Sequence, residues 1–351
     1  MSINLYNSQI DKMFLHKVGN KARNEEMILS DKPYELDDEM HALLKEYFLK
    51  PFREKEEEYY KFTHEVDVEF NDIFCAVEEI FKGNEHAANG FAITTKLYNQ
   101  ANHPHIKSGE VYICQLSNIL YDNERVDAIG IFKSEIKQDF LQFKDEEDHI
   151  EAILQQGVNL AKLDKGALIL NVEAEDGYRI LTVDQNKYDT KYWLENFLNI
   201  QEAEDANFHT KNYLKFCRDF AKDVVLPAED KQQEIMFMNR AVNHFASNDE
   251  FQEDSFLNEV LENPDLIPEF KNYKEERAPK YKIEDLSDFA VSNQAVTNAR
   301  KKYKSVIELD TNVTIKMDFI NPESAEKYIE KGWDEERQMY YYLVYFNSEN
   351  R

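Results

Sequence analysis

The side chains best suited to ligand binding cluster near residue 300. Four of the five residues from Arg300 to Lys304 are basic, in a chain whose formal net charge is -27. Exposed arginine and lysine side chains commonly contact nucleic-acid phosphates. On a helix with 3.6 residues per turn, Arg300, Lys301 and Lys304 point away from an apolar arc. These three are candidate nucleic-acid-binding residues. Lys302 lies at the edge of the arc, and Tyr303 could stack on a base if its ring is exposed.

The same basic residues also have a structural interpretation. Bases in the last turn of a helix oppose its dipole, and each contributes roughly 0.3 to 1 kcal/mol without any ligand. No acidic residue occurs between Asp288 and Glu308, so no carboxylate nearby in the sequence neutralises the cluster. Phosphate contact and the helix-end role are compatible, and the sequence leaves both open.

A second acid-free window covers residues 86–109. Within it, Lys107 and Ser108 lead into a predicted strand and form a candidate anion-binding turn. Lys107 is therefore the fourth candidate nucleic-acid-binding residue. His103 and His105 could ligate a metal, but no third ligand stands at a metal-binding spacing from them, so no metal site is predicted.

Asp127, Glu135 and Lys137 have the order D…ExK that is typical of metal-dependent nucleases. In such a site, two carboxylates hold Mg²⁺ and the lysine polarises the attacking water. The spacing of Glu135 and Lys137 places both on one face of a strand. An ExK triplet is common in so acidic a chain, however, so paired charges at an exposed strand edge are the simpler interpretation.

Other catalytic motifs are missing from the sequence. It contains no GxxxxGK[ST], GxGxxG, HExxH or GxSxG pattern, and only 9 glycines occur in 351 residues. Nucleotide hydrolysis, dinucleotide chemistry and serine hydrolase chemistry are therefore not expected. We predict neither an enzyme nor a cofactor.

Predicted helices and strands must position these candidates. Helical spacing of apolar residues predicts helices at 36–62, 68–83 and 87–100, the first broken or bent at Pro51. Strands are predicted for VYICQLSNILY and VDAIGIFKSEI around the turn DNER, and for both halves of KGALILNVEAEDGYRILTVD. The acidic stretch between these two pairs of strands is predicted to be helical.

The second half of the chain is predicted to be helical from residue 188 to about residue 272. Pro264, Pro268 and Pro279 then mark a candidate linker. A helix at 292–303 precedes the strands SVIELD and VTIKMDF, which a turn at 310–312 joins. A short helix is predicted in SAEKYIEKG, followed by a final strand MYYYLVYF. That strand either packs on both faces or pairs two subunits at a sheet edge.

These elements predict an α+β fold, with helices packed on a mostly antiparallel sheet. The predicted domains are an N-terminal α+β domain at 1–187, a helical region at 188–275 and a small C-terminal α/β module at 281–351.

Composition limits the environment and the partners. A 42% hydrophobic content indicates a folded protein, and no apolar run approaches the roughly 20 residues of a membrane span, so no membrane association is predicted. Three widely spaced cysteines fit buried thiols in a reducing cytoplasm. An excess of 69 acids over 42 bases repels DNA at long range, so DNA contact requires a local patch or a partner.

Several blocks of the chain resemble the bacterial nucleoid-associated protein NdpA family. They are KEYFLKPF, HPHIKSGEVYICQLSNI, GIFKSEIKQDFL, KLDKGALILN, DGYRILTVDQNKYDTKYWLENFL and NARKKYKSVIELD. The resemblance implies a non-enzymatic protein of the cytoplasm that is found with the nucleoid and binds DNA directly or through a partner. The resemblance does not indicate which residues would bind DNA.

Three functional hypotheses follow. The first is a nucleoid-associated protein that binds DNA through Arg300, Lys301, Lys304 and Lys107. The second is an acidic protein-binding module that a nucleoid protein partner recruits to the DNA. The third is a metal-dependent nuclease that uses the D…ExK residues. Homo-oligomerisation is left open.

Overall fold

A computed structural model describes residues 3–54, 58–84, 86–185, 191–228, 230–261, 263–303, 305–316 and 328–348. The chain divides into two compact units, unit 1 at Met1–Ala203 and unit 2 at Glu204–Arg351. Helices and antiparallel strands occur together, and the predicted α+β class is confirmed.

Unit 1 is built around a curled antiparallel sheet of eight strands. Its order is β1-β4-β5-β8-β9-β3-β10, with β2 also paired to β4. The strands of unit 1, including the separate pair β6 and β7, are β1 (Ile3–Asn4), β2 (Gln9–Val18), β3 (Tyr60–Phe62), β4 (Gly109–Tyr121), β5 (Glu124–Ser134), β6 (Lys137–Asp145), β7 (Ile150–Val158), β8 (Lys165–Leu170), β9 (Arg179–Asp184) and β10 (Ile200–Glu202).

The helices of unit 1 supply side chains to the cores on the sheet. They are α1 (Asp38–Glu54), α2 (Asp72–Phe81) and α3 (His86–Gln100), with a π-helical turn at Tyr192–Leu198 and 3-10 turns at Lys21–Arg23, Val68–Phe70 and Ala174–Asp176. One core combines α2, α3 and the π-helical turn with alternate strand residues such as Ile113 and Ile131. A second core combines α1 with the intervening strand residues, such as Tyr112 and Phe132. Because successive strand residues point to opposite faces, both faces of the central strands are buried.

The predicted hairpin between VYICQLSNILY and VDAIGIFKSEI is confirmed as β4 and β5. Tyr121 pairs with Glu124 across a two-residue turn. Asp122 and Asn123 have φ values of 46° and 69° there. Positive φ at both central positions is the geometry that suits the twist of a tight hairpin.

Two predictions for the first half of the chain were wrong. The helix predicted at 36–62 ends at Glu54 with Pro51 inside it, and Tyr60–Phe62 is the strand β3. Proline in the last turn removes only one hydrogen bond of the helix. The acidic stretch predicted to be helical instead forms β6 and β7, which pair over nine residues.

Unit 2 is mainly helical. Its helices are α4 (Ala206–Phe220), α5 (Leu226–Ala228), α6 (Lys231–Ser247), α7 (Glu253–Val260), α8 (Leu266–Tyr281) and α9 (Asn293–Lys302), with a π-helical turn at Ala221–Val225 between α4 and α5. A core rich in aromatic side chains joins them, and Phe216, Phe220 and Phe270 pack edge to face within it. The prolines predicted as a linker do not interrupt this unit, because Pro268 and Pro279 lie within α8. The three predicted domain ranges stay predictions.

Three short strand pairs complete the described part of unit 2. They are β11 (Glu250–Gln252) with β12 (Asp288–Ala290), β13 (Val306–Glu308) with β14 (Thr314–Lys316), and β15 (Ile329–Asp334) with β16 (Met339–Val344). The helix predicted in SAEKYIEKG is wrong for residues 329–332, which belong to β15, and residues 324–327 lie outside the described part. The final strand is confirmed, but most of its side chains are exposed, so packing on both of its faces was wrong.

Candidate nucleic-acid interface

Helix α9 positions the basic residues predicted to contact phosphate. Ser292 caps its N-terminus, because the Ser292 Oγ accepts a hydrogen bond from the Ala295 backbone N–H at 3.3 Å. Ala295, Val296 and Ala299 are buried, as the predicted apolar arc requires. The helix therefore turns its other side to solvent.

Arg300 and Lys301 lie on that exposed side at the last turn of α9. Lys302 is exposed as well, and its predicted place at the edge of the apolar arc stays a prediction. Lys304, the remaining basic residue of the cluster, lies outside the described residues. Of the three basic side chains predicted to point outward at the helix end, the structure describes two, Arg300 and Lys301, and both are exposed.

Tyr303 belongs to the fold. Its hydroxyl donates to the Leu214 backbone oxygen on α4 at 3.1 Å, and its ring packs against the core of unit 2. Burial raises the pKa of Tyr303 to about 12, while the positive charge of Arg218 acts in the opposite direction. A ring held in this way is poorly placed to stack on a base.

Neighbouring helices add polar groups that sequence reasoning missed. On α6, the Asn243 Oδ1 accepts a hydrogen bond from the Arg300 Nη2 at 3.1 Å, and Asn239 contacts Ser305. On α4, Arg218 is exposed, and its charge reaches Tyr303. Arg218 also forms an ion pair with Asp219 at 2.7 Å, which offsets part of its charge. No local motif marks these residues, because only the packing of α4 and α6 on α9 brings them to the cluster.

Lys107 lies in unit 1, whereas Arg300 and Lys301 lie in unit 2. Its side chain is exposed, and the chain then comes close to the end of β5, because a Cβ on Gly109 would meet the Ser134 backbone oxygen at 2.0 Å. The carboxylate of Glu25 already lies beside Ser108. The Asn20 backbone N–H donates to Glu25 and lowers the pKa of its carboxyl, and Ser108 acts in the same direction. A carboxylate at this position weakens the case for anion binding.

The D…ExK residues do not converge on a metal. Asp127 is exposed near the start of β5, and Glu135 follows the end of that strand, on the order of 25 Å away at roughly 3.3 Å per residue. Lys137 forms an ion pair with Glu110 instead. In the described ranges, no group of three or more His, Cys, Asp or Glu side chains is arranged to hold a metal ion.

Glu135 is part of a buried ionic cluster at the end of β5. Its Oε1 accepts a hydrogen bond from the Lys133 Nζ at 2.7 Å, and both side chains are almost completely buried. Lys133 also donates to the Lys107 backbone oxygen at 2.7 Å. On the neighbouring strands, Lys165 of β8 lies opposite Lys133 and pairs with Asp184 of β9 at 2.8 Å, and both side chains are again buried. Burial lowers the pKa of Lys133, whereas the negative charge of Glu135 raises it.

Comparison with models of known protein families shows to which family the chain belongs. The family model described as nucleoid-associated protein YejK matches residues 14–340. The chain belongs to this family. It is the family that the sequence blocks resemble, since YejK is also called NdpA. A comparison with curated proteins gave no match.

The YejK family match includes both candidate regions. Residues 14–340 contain Lys107 in unit 1 and all of α9 in unit 2, so membership does not favour one of the two positions. None of the helices in the described part of the chain is long and apolar enough to cross a membrane.

Proposed function

We propose that this YejK-family chain is a non-enzymatic protein of the nucleoid that contacts DNA phosphates directly through the end of α9. The observation that carries the proposal is the exposure of Arg300 and Lys301 on a helix whose other side is packed into unit 2. Packing of α9 fixes the backbone from which both side chains extend. DNA is then the partner, the cytoplasmic nucleoid is the location, and no cofactor is involved.

The contact acts at short range. A net charge of -27 repels a phosphate backbone at a distance, but a Debye length of about 8 Å at physiological ionic strength limits that repulsion. Within this distance, Arg300 and Lys301 attract phosphate, and the carboxylate of Asp219 near Tyr303 is already paired with Arg218. The C-terminal dipole of α9 is negative and takes up part of their charge. We therefore expect weak binding without base preference.

Charge reversal at α9 tests the proposal. The double variant Arg300→Glu/Lys301→Glu is compared with the native chain in fluorescence anisotropy titrations of duplex DNA at about 50 mM salt. We expect the native chain to bind and the variant to lose about tenfold or more in affinity, because two phosphate contacts become repulsive. Lys304→Glu, measured alone, tests whether the next basic residue contributes.

A matched control separates local contact from net charge. Lys271→Glu/Arg277→Glu makes the same charge change on exposed positions of α8. The control is expected to alter affinity by less than about threefold, since it acts only through long-range repulsion. No binding by the native chain, or equal losses in both double variants, would contradict direct contact through α9.

A second function, the acidic protein-binding module, is favoured by the hairpin of β15 and β16. Trp333 and Tyr340 are exposed on one face of it with their ring centroids 4.7 Å apart, and Glu335 and Glu336 lie in its turn. An aromatic surface with an acidic rim suits a basic protein rather than DNA. Association with a DNA-bound protein that persists after nuclease digestion supports this function. Loss of every partner on digestion contradicts it.

A further inference from the structure

The strands β6 and β7 form a ribbon that stands apart from the eight-stranded sheet. In the part of the chain that the structure describes, these two strands pair only with each other. All nine residues of β6 are exposed. A two-stranded ribbon is marginally stable in water unless something covers one of its faces.

One face of the ribbon is largely apolar in its outer half, where Asp145, opposite Ile150, is the polar exception. Cross-strand partners lie on the same face, and Leu141 pairs with Leu154 while Phe143 pairs with Ala152. Ile150 continues this face toward the tip. The four large side chains of the set are between 57% and 67% exposed. We call Leu141, Phe143, Ile150, Ala152 and Leu154 the apolar face.

The opposite face is more polar and partly satisfied within the ribbon. The Gln155 Nε2 donates to the Gln142 Oε1 at 2.5 Å. Phe140 lies on this face over Gly157, where a Cβ would meet its ring at 2.9 Å. An uncovered surface therefore remains on the apolar face.

The root of the ribbon is held firmly. The Asp164 Oδ2 accepts hydrogen bonds from the backbone N–H groups of Glu135 and Ile136, at 2.7 and 3.0 Å. Lys133 holds the Glu135 side chain, and Lys137 pairs with Glu110. The ribbon thus extends from a fixed base, which limits the entropy lost when it binds.

The area of the apolar face fits a pair of ribbons. At roughly 150 to 200 Å² per large apolar side chain, its exposed part amounts to on the order of 400 Å², near the largest patch that monomers usually expose. Two such faces packed together remove about twice that area from water. With a polar rim, the total reaches the roughly 1,200 Å² at which specific interfaces begin.

The acidic tip of the ribbon disfavours DNA as the partner of the apolar face and favours antiparallel packing of two ribbons. Acidic residues fill the tip from Asp145 to Asp148, and Glu151 follows. If two ribbons pack antiparallel, each tip lies over the root of the other. The two tips are then about 25 to 30 Å apart at roughly 3.3 Å per residue, beyond the Debye length of about 8 Å.

We propose that the apolar face of the ribbon is a homodimer interface, on which the same face of a second copy of this chain packs about a two-fold axis. A two-fold contact covers both faces and closes the assembly. Because both copies are acidic, added salt strengthens the association, whereas salt would weaken binding to a basic partner.

Two phenylalanines on opposite faces of β6 provide the test. Sedimentation velocity of the full chain up to about 100 µM, at low and high salt, measures its mass. We expect the native chain to dimerise, more tightly at high salt. Phe143→Ser should weaken dimerisation by about tenfold or more, because each copy loses a central contact, while Phe140→Ser should leave it unchanged. Circular dichroism checks that both variants are folded.

Disulfide trapping gives a readout that does not depend on these substitutions. Ala152→Cys lies on the apolar face, and Ile153→Cys points to the opposite one. Under mild oxidation, Ala152→Cys should form a covalent dimer, and Ile153→Cys should not. A native chain that stays monomeric at about 100 µM in both salts, equal effects of the two serine variants, or equal trapping of the two cysteines would overturn the proposal.

Discussion

The glutamate of the candidate D…ExK nuclease motif, Glu135, forms a buried ion pair with Lys133. Glu135 and Lys133 face each other at 2.7 Å with side chains that are 3% and 0% exposed. Desolvating two ions is costly, and only their mutual contact and additional hydrogen bonds offset this cost. The Lys107 backbone oxygen supplies one such bond to Lys133. Glu135 therefore has a structural role as the buried counter-ion of Lys133.

Removing one member of this pair should be far more harmful than removing both. Glu135→Leu leaves Lys133 buried without its counter-ion, and we expect a loss of about 3 kcal/mol in the free energy of unfolding. The double variant Lys133→Met/Glu135→Leu should lose much less than the sum of the single losses. Urea unfolding followed by the fluorescence of buried Trp193, in a Trp333→Phe background, measures unit 1. Additive losses would show that the two charges are not coupled.

Helix α9 and the ribbon of β6 and β7 both expose one side, but they differ in how the rest of the fold holds them in place. Helix α9 packs against α4 and α6, and its cap contacts α4 as well, because the Ser292 backbone N–H donates to the Thr210 Oγ1 at 3.0 Å. The ribbon of β6 and β7 has no comparable layer in the described structure, so its orientation depends on its root. Asp164 is the residue that joins this root to the loop before β8.

Asp164 should control the mobility of the ribbon. Asp164→Ala removes the acceptor of the Glu135 and Ile136 backbone N–H groups, so these amides should exchange with solvent faster. Hydrogen exchange followed by mass spectrometry measures peptides from the root of β6. Asp139→Ala is a matched control within β6. If exchange at the root is unchanged in Asp164→Ala, the carboxylate does not hold the ribbon.

Over the whole molecule, charge limits what a small basic cluster can achieve. A net charge of -27 leaves few positions where phosphate is attracted. The proposed binding through α9 should therefore involve only two or three phosphate contacts, in contrast to proteins with an extended basic surface. Salt dependence reports this number directly.

The DNA affinity should fall roughly 12- to 40-fold between 50 and 200 mM salt, which corresponds to two or three phosphate contacts. Anisotropy titrations at four salt concentrations give the slope of log affinity against log salt. Arg300→Glu/Lys301→Glu should flatten that slope, and Lys271→Glu/Arg277→Glu should preserve it. A slope near zero would exclude phosphate contact, and one several times steeper would require a larger basic surface.

The sequence predicted elements whose periodicity agrees with their environment. The hairpin of β4 and β5 and the buried arc of α9 follow from alternation and from helical spacing, since each has apolar residues on the faces that become buried. The ribbon was mistaken for a helix because its strands are exposed. Its alternating Leu141, Phe143, Ile150, Ala152 and Leu154 nevertheless form a period-two pattern.

By itself, the sequence determined the α+β class, the family blocks and the positions of Arg300 and Lys301 on the outer side of a helix. Only the tertiary structure decided that Glu135 pairs with Lys133, that Asp127 lies far from both, and that Arg218 and Asn243 join the basic cluster. Local patterns reflect which faces of an element are buried. Partners that are distant in the chain meet only through packing between elements. Short local sequence patterns do not reveal which elements pack together.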